Sequence, residues 1–202
     1  MTGQTADDWD AYAAAFDDEP DHGLRDPAVR AAWRRLLTRL LPEPPARVAD
    51  LGCGTGSLSV LLAEDGHRVT GVDTSAAMLE RAAAKADAAG VSVELHRADA
   101  GRPPLPTGAF DVVLSRHVVW ALPDPGAALA RWVRLLAAGG RLVLVEGRWS
   151  TGAGLSSGQL VAAVEPHASV VEVRPLPDPV LWGGPITDER YAVVARRPAV
   201  RG

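Results

Sequence analysis

The sequence predicts an α/β fold in which a mostly parallel sheet is wound on both faces by helices. Two observations carry this prediction: short apolar strands alternate with helical stretches from residue 47 onward, and a glycine turn follows the first of those strands. Strands are expected near 47–51, 68–72, 91–96, 110–115 and 141–146. Helices are expected near 57–65, 76–88 and 125–137, and the connection before 110 reads mostly as loop. Each crossover returns the chain to the same direction, which makes the sheet parallel. Ahead of it, residues 5–16 and 27–41 carry helical periodicity, with Pro27 in a favourable first turn. A charged turn at 17–23 separates them, and Pro42 to Pro45 stop the second. The expected organisation is an N-terminal helical cap over 1–45 and a core over 46–202 within a single domain. The tail adds a helix at 156–165, a strand at 168–174 and a last strand at 190–196. The glycine-rich stretch 147–158 has the composition of a mobile lid or of an ordinary connection.

Composition narrows the class. A chain of 202 residues with 47% hydrophobic content can bury a substantial core. Its apolar runs are short and interrupted, so no segment spans a bilayer, and the polar, acidic start does not read as a secretory signal. A cytoplasmic protein is the expectation, as a monomer or homodimer. The net charge of −4 argues against nucleic acid as a partner, because such surfaces show a basic excess. Twenty of the twenty-one basic residues are arginine, Lys85 being the exception. Cys53 is the single cysteine, which excludes an internal disulfide, and it suits a small space-filling role. His22, His67, His96 and His167 are scattered rather than at metal-ligand spacing, so no metal is expected.

The stretch Val48-Ala49-Asp50-Leu51-Gly52-Cys53-Gly54-Thr55-Gly56 reads as a buried strand entering a turn that can lie directly against a ligand. The helix that opens at Ser57 points free N–H groups the same way. A dinucleotide fingerprint needs glycine at 57, and the phosphate loop of nucleoside triphosphatases needs a Gly-Lys step, so both are disfavoured. At this point the chain resembles the class I S-adenosylmethionine-dependent methyltransferases, in the small-molecule branch that includes quinone-biosynthesis enzymes. The first motif is Asp50-Leu51-Gly52-Cys53-Gly54-Thr55-Gly56. It is followed by Val69-Thr70-Gly71-Val72-Asp73, Ala98-Asp99, Phe110-Asp111-Val112-Val113-Leu114 and Gly139-Gly140-Arg141-Leu142-Val143-Leu144. The resemblance covers about residues 46–147. It implies a seven-stranded sheet of order 3-2-1-4-5-7-6 with the last strand antiparallel, and S-adenosylmethionine as cofactor.

Asp73 stands about 20 residues beyond the turn, the spacing at which an acid reaches a ribose edge, with a helix N-cap as the competing role. Thr74 lies beside it. The resemblance assigns Met78 to the adenine face and Asp99 to the adenine amino group, with the Ala100 N–H on a ring nitrogen. It sets Asp50 toward the methionyl ammonium, and carbonyls near Ser115 complete that end. Cys53 belongs to the turn itself. Asp111 and Glu146 read as structural acids.

The acceptor is expected beyond the fourth strand, where Ser115-Arg116-His117-Val118-Val119-Trp120 leaves the sheet near its switch point. The Asn/Asp-Pro-Pro-Tyr/Phe motif of enzymes that methylate adenine or glutamine nitrogen is missing here. A small-molecule acceptor is therefore expected, methylated on oxygen or nitrogen in preference to carbon. His117 is the candidate general base and Arg116 the candidate anchor for an acceptor carboxylate. Tyr12, Trp120 and Trp149 are candidate walls of the acceptor site, with Phe16 and Trp182 reaching it from either end.

Overall fold

The computed structural model describes residues 5–168 and 170–197. Residues 1–4, Ser169 and 198–202, which the expected domain bounds and the strand at 168–174 include, lie outside the described residues. The order of elements is α1 (Ala6–Tyr12), α2 (Pro20–Gly23), α3 (Pro27–Leu40), β1 (Arg47–Leu51), α4 (Ser57–Glu64), β2 (Arg68–Asp73), α5 (Ala76–Ala89) and β3 (Val93–Arg97). It continues with β4 (Phe110–Arg116), α6 (Pro125–Leu135), β5 (Leu136–Arg148), α7 (Ser157–Val164), β6 (Val170–Pro175) and β7 (Glu189–Arg196). The sheet runs β3-β2-β1-β4-β5-β7-β6, parallel except where β7 pairs antiparallel with β5 and β6, as expected.

Burial explains the layers. Val48, Val112, Leu114, Val143 and Val145 point to one face and pack under α3 and α4, where Trp33, Leu37 and Leu61 are nearly inaccessible. Ala49, Leu51, Val113, Leu142 and Leu144 point to the other face, against Leu129 and Trp132 of α6 and Leu160 of α7. Successive strand residues alternate between these faces, the period-2 rule acting on strands buried on both sides.

Within residues 1–45, α3 packs directly on the sheet: Asp26 caps it through the Ala28 N–H, and Trp33 donates to the Leu181 carbonyl at 2.8 Å. One expectation needs correction. The helix expected over 5–16 ends at Tyr12, and a single 3-10 turn follows at Phe16–Asp18. Phe16 therefore leaves the helical face it would have shared with Tyr12.

Candidate active site

The strand order reverses between β1 and β4, and the glycine turn opens into the crevice at that point. Gly52 has φ of 73°, and a Cβ there would lie 2.3 Å from Val118 Cγ2, so only glycine lets the segment after β4 close on the turn. Gly56, with φ of 74°, caps α4 and would meet Ala82 Cβ at 2.7 Å, so the turn also sits tight on α5. At the end of β2 the Asp73 carboxylate accepts the Gly54 N–H at 2.8 Å and the Ser75 N–H at 2.9 Å. Ser75 caps α5, its Oγ accepting the Met78 N–H, so Asp73 is released from that role. Burial raises the Asp73 carboxyl above its ordinary value despite these hydrogen bonds. Buried Asp50 accepts from Ser59 Oγ at 2.6 Å, and burial pushes it up to about 6.

The remaining residues expected to hold the cofactor lie after β1, β2 and β3, in α5 and at the end of β4. Cys53 Sγ lies 2.9 Å from the position of a Cβ on Gly71, which makes it a filler between β1 and β2, and burial pushes its thiol well up. The Thr74 carbonyl accepts from Arg97 Nε. Met78 is buried in the first turn of α5. Asp99 is exposed and accepts the Gly101 N–H at 2.8 Å, and the Ala100 carbonyl accepts from Trp132 Nε1 at 2.7 Å. Ser115 is buried and donates to the Leu51 carbonyl, tying β4 to the mouth of the turn.

The N-terminal segment reaches over both sides of this crevice. Asp10 accepts from Ser75 Oγ and from the Ala77 N–H, a second anion at the start of α5. Phe16 lies against Gly54, where a Cβ would come within 3.3 Å of its ring. Asp17 is 5% exposed and accepts from Thr55 Oγ1 at 2.5 Å and from Lys85 Nζ at 2.8 Å. Lys85 also donates to Thr55 Oγ1 and Ser57 Oγ. Burial acts to raise the Asp17 carboxyl, but the Lys85 and Thr55 hydrogen bonds prevail and hold it below its ordinary value. The single lysine of the chain therefore latches the N-terminal segment to the glycine turn.

On the acceptor side, His117 follows β4 with φ of 60°, its N–H donated to the Val145 carbonyl at 2.9 Å. The left-handed backbone turns its ring into an aromatic cluster. Trp149 meets it edge-on at 5.2 Å between centroids, Trp182 lies nearly parallel at 6.0 Å, and His22 approaches at 6.0 Å with Phe16 stacked on its far side. Trp120 donates to the His117 carbonyl and packs on Trp149. Burial first, and the Arg116 charge after it, push His22 down to about 4 and His117 well below the ordinary imidazole value. Both rings are neutral at neutral pH. His22 Nδ1 and His117 Nε2 are shielded from solvent without a hydrogen-bond partner.

Several placements differ from expectation. Arg116 is not turned to an acceptor: its Nη1 donates to the Asp21 carbonyl and its guanidinium lies 5.0 Å over the Trp33 ring. Arg190 lies over both Trp149 and Trp182 at 5.3 and 5.0 Å and is itself paired, its Nε and Nη2 donating to the Asp188 carboxylate at 2.7 and 3.0 Å. Tyr12 stays 40% exposed and touches the cluster only through Phe16. His22 is not isolated, because the fold brings it to His117. Sequence reasoning also passed over Asp10, Asp17, Lys85 and Arg190. Lys85 carried a signal, since a lone lysine among arginines marks a place where a compact ammonium is wanted. Glu146 is structural as expected, its Oε1 accepting the Val118 and Val119 N–H groups, and burial pushes it up to about 8.

A family model described as a methyltransferase domain matches residues 49–144. Residues 49–144 are a methyltransferase domain. It is of the S-adenosylmethionine-dependent class, and its matched span runs from β1 through the glycine turn into β5. Among curated proteins, the chain is 42% identical over 117 residues to a demethylmenaquinone methyltransferase of Thermus thermophilus, covering 56% of this chain and 53% of that one. It is 34% identical over 150 residues to nocamycin O-methyltransferase of Saccharothrix syringae, covering 69% and 53%. The chain thus spans about half the length of the curated relatives it matches. Among solved structures, a possible histamine N-methyltransferase of Thermotoga maritima superposes with a TM-score of 0.67 at 20% identity, covering 94% of this chain and 98% of that one. A [4+2]-cyclase reaches 0.72 at 22% identity, covering 83% and 81%. These likenesses show the fold of the methyltransferase domain. Among the described residues, no helix is long and apolar enough to cross a membrane.

Proposed function

We propose that the chain transfers the methyl group of S-adenosylmethionine to an oxygen or nitrogen of a small-molecule acceptor. The observation that carries this reading is the placing of the glycine turn and Asp73 on one side of the β1/β4 crevice and the neutral His117 ring, walled by tryptophans, on the other. Asp73 and Thr74 would take the ribose, Met78, Asp99 and Ala100 the adenine, and Asp50 with the strand end at Ser115 the methionyl group. An ammonium close to Asp50 would restore its ionised form, offsetting the burial that now raises it.

Methyl transfer from a sulfonium is an in-line displacement, so the protein mainly aligns donor and acceptor and keeps water out. Trp120, Trp149 and Trp182 supply the enclosing surface, and Phe16 and His22 close it from the N-terminal side. The unpartnered Nε2 of His117 is the atom offered to an acceptor proton. Arg116 is held by the Asp21 carbonyl and Trp33, and Arg190 by the Asp188 carboxylate, so neither arginine is a free anchor for an anionic acceptor.

The test combines calorimetry with S-adenosylhomocysteine and a turnover assay for its release, run against a panel of small hydroxyl, carboxyl and amine acceptors. Binding and acceptor-dependent turnover are expected. No binding by the folded protein would overturn the reading.

A further inference from the structure

We propose that Asp21, His22 and His117 bind a divalent first-row transition-metal ion, and that this ion takes an oxygen of the acceptor as a further ligand. Each of the three residues offers one ligand atom, and these atoms all lie within 4.8 Å of one another. Two imidazoles and one carboxylate are the donor set that suits zinc, cobalt(II) or iron(II) and leaves coordination positions open. Ligand distances of about 2.0–2.2 Å bring donors somewhat closer together than they stand here, a change within reach of side-chain rotation.

The second observation is independent of that proximity. His117 Nε2 and His22 Nδ1 are both shielded from solvent and lack any hydrogen-bond partner. Buried polar atoms are nearly always satisfied, so the unpartnered Nε2 of His117 calls for a missing ligand. The rings are also held in place: Phe16 stacks on His22 at 4.3 Å, while Trp149 and Trp182 fix His117 from two directions. Asp21 Oδ2 lies 3.8 Å from His22 Nε2, with both side chains mostly covered.

The charges around the cluster indicate what completes it. Arg190 is paired with Asp188 at 2.7 and 3.0 Å, which leaves the Arg116 guanidinium, bonded to the Asp21 carbonyl and stacked on Trp33, as the cation that a bare dication would face. An anionic ligand relieves that repulsion, which points to an acceptor that ligates as an ionised hydroxyl, enol or carboxylate. The role of the ion rests on the methyl-transfer reading. On coordination the acceptor hydroxyl loses its proton to solvent. Its oxygen then takes the methyl group as the carbon–sulfur bond breaks, and the electron pair stays on sulfur to give the methylated acceptor and S-adenosylhomocysteine. His117 then serves as a ligand instead of a base.

The experiment uses the full chain, stripped with a chelator and titrated with cobalt(II) while its visible d–d absorption is followed, with zinc(II) competition by calorimetry. Stoichiometric cobalt binding is expected, with affinity falling by more than about 100-fold in His117→Ala and His22→Ala and to a smaller degree in Asp21→Asn. Absence of stoichiometric binding in the unaltered protein overturns the proposal, as does binding that both histidine variants retain. S-adenosylhomocysteine binding is measured on the same samples. If it persists where cobalt binding is absent, the ion site fails and the methyltransferase reading stands. If cobalt binds and S-adenosylhomocysteine does not, the reverse holds.

Discussion

Replacing Lys85 with methionine should open the N-terminal segment. The Lys85 ammonium is shared by Asp17, Thr55 and Ser57 at 2.7–2.8 Å, and its removal leaves the Asp17 carboxylate, only 5% exposed, with Thr55 as its remaining partner. Breaking a buried ion pair from one side costs about 3–5 kcal/mol. Because Lys85 keeps 27% of its side-chain surface in contact with solvent, the lower end applies, about 3 kcal/mol. At about 1.4 kcal/mol per tenfold change, that shifts the closed-to-open equilibrium of residues 6–23 by about two orders of magnitude. Hydrogen exchange resolved over 6–23 is the assay, with S-adenosylhomocysteine calorimetry in parallel. Faster exchange confined to that segment is expected, with weaker binding and with α3 and the sheet still protected. Adding Asp17→Asn removes the stranded charge and should recover part of the loss. Since the Asp17 carboxyl is held below its ordinary value when folded, its contribution is complete above the unfolded pKa near ~3.9 and disappears as pH falls through the lower folded value. The unaltered protein should therefore open this segment only in acid. Unchanged exchange in Lys85→Met would refute the latch.

Asp73→Ala should weaken S-adenosylhomocysteine binding by about 1–3 kcal/mol in calorimetry, since it removes the acceptor of two turn N–H groups along with the proposed ribose contact. Glu146→Gln should change the pH profile of stability. The folded carboxyl is raised to about 8, so the native protein loses stability as pH climbs from the ordinary carboxyl value toward 8, and thermal melts of the variant should lack that decline.

The fold was largely legible because β1 and β2 are short, apolar and followed by a helical period, while β4 and β5 carry apolar runs on either side of the helical period at α6. The glycine turn was legible for a different reason: positive φ at Gly52, Gly54 and Gly56 leaves few other residues admissible. What stayed hidden depends on contacts between distant segments. The charged turn over 17–23 gave no sign that Asp17 would be buried against Lys85, or that His22 would meet His117. Arg116 was a candidate anchor for an acceptor carboxylate, with a solvent-facing side chain as the competing role. Trp33 lies beneath its guanidinium, and that stacking partner comes from α3, which periodicity alone cannot place. The packing of α3 on the sheet stayed hidden likewise, since an amphipathic helix reads the same whether it covers a site or forms a layer of the core.

Two backbone details explain how so short a segment serves both halves of the crevice. A Cβ on Gly23 would lie 2.2 Å from the Asp17 carbonyl oxygen, so only glycine lets the chain fold back on its own 3-10 turn there. Leu24 follows in a left-handed conformation, φ 50°, and drives its side chain into the core that holds Trp33 and Leu37. This reversal, anchored by a buried leucine, fixes Asp17 on the glycine turn and Asp21 and His22 on the acceptor side at once. Opening the latch at Lys85 should therefore loosen His22 as well, and Lys85→Met is expected to speed hydrogen exchange at residues 21–22 together with residues 16–18, an expectation that protection of 21–22 alone would overturn.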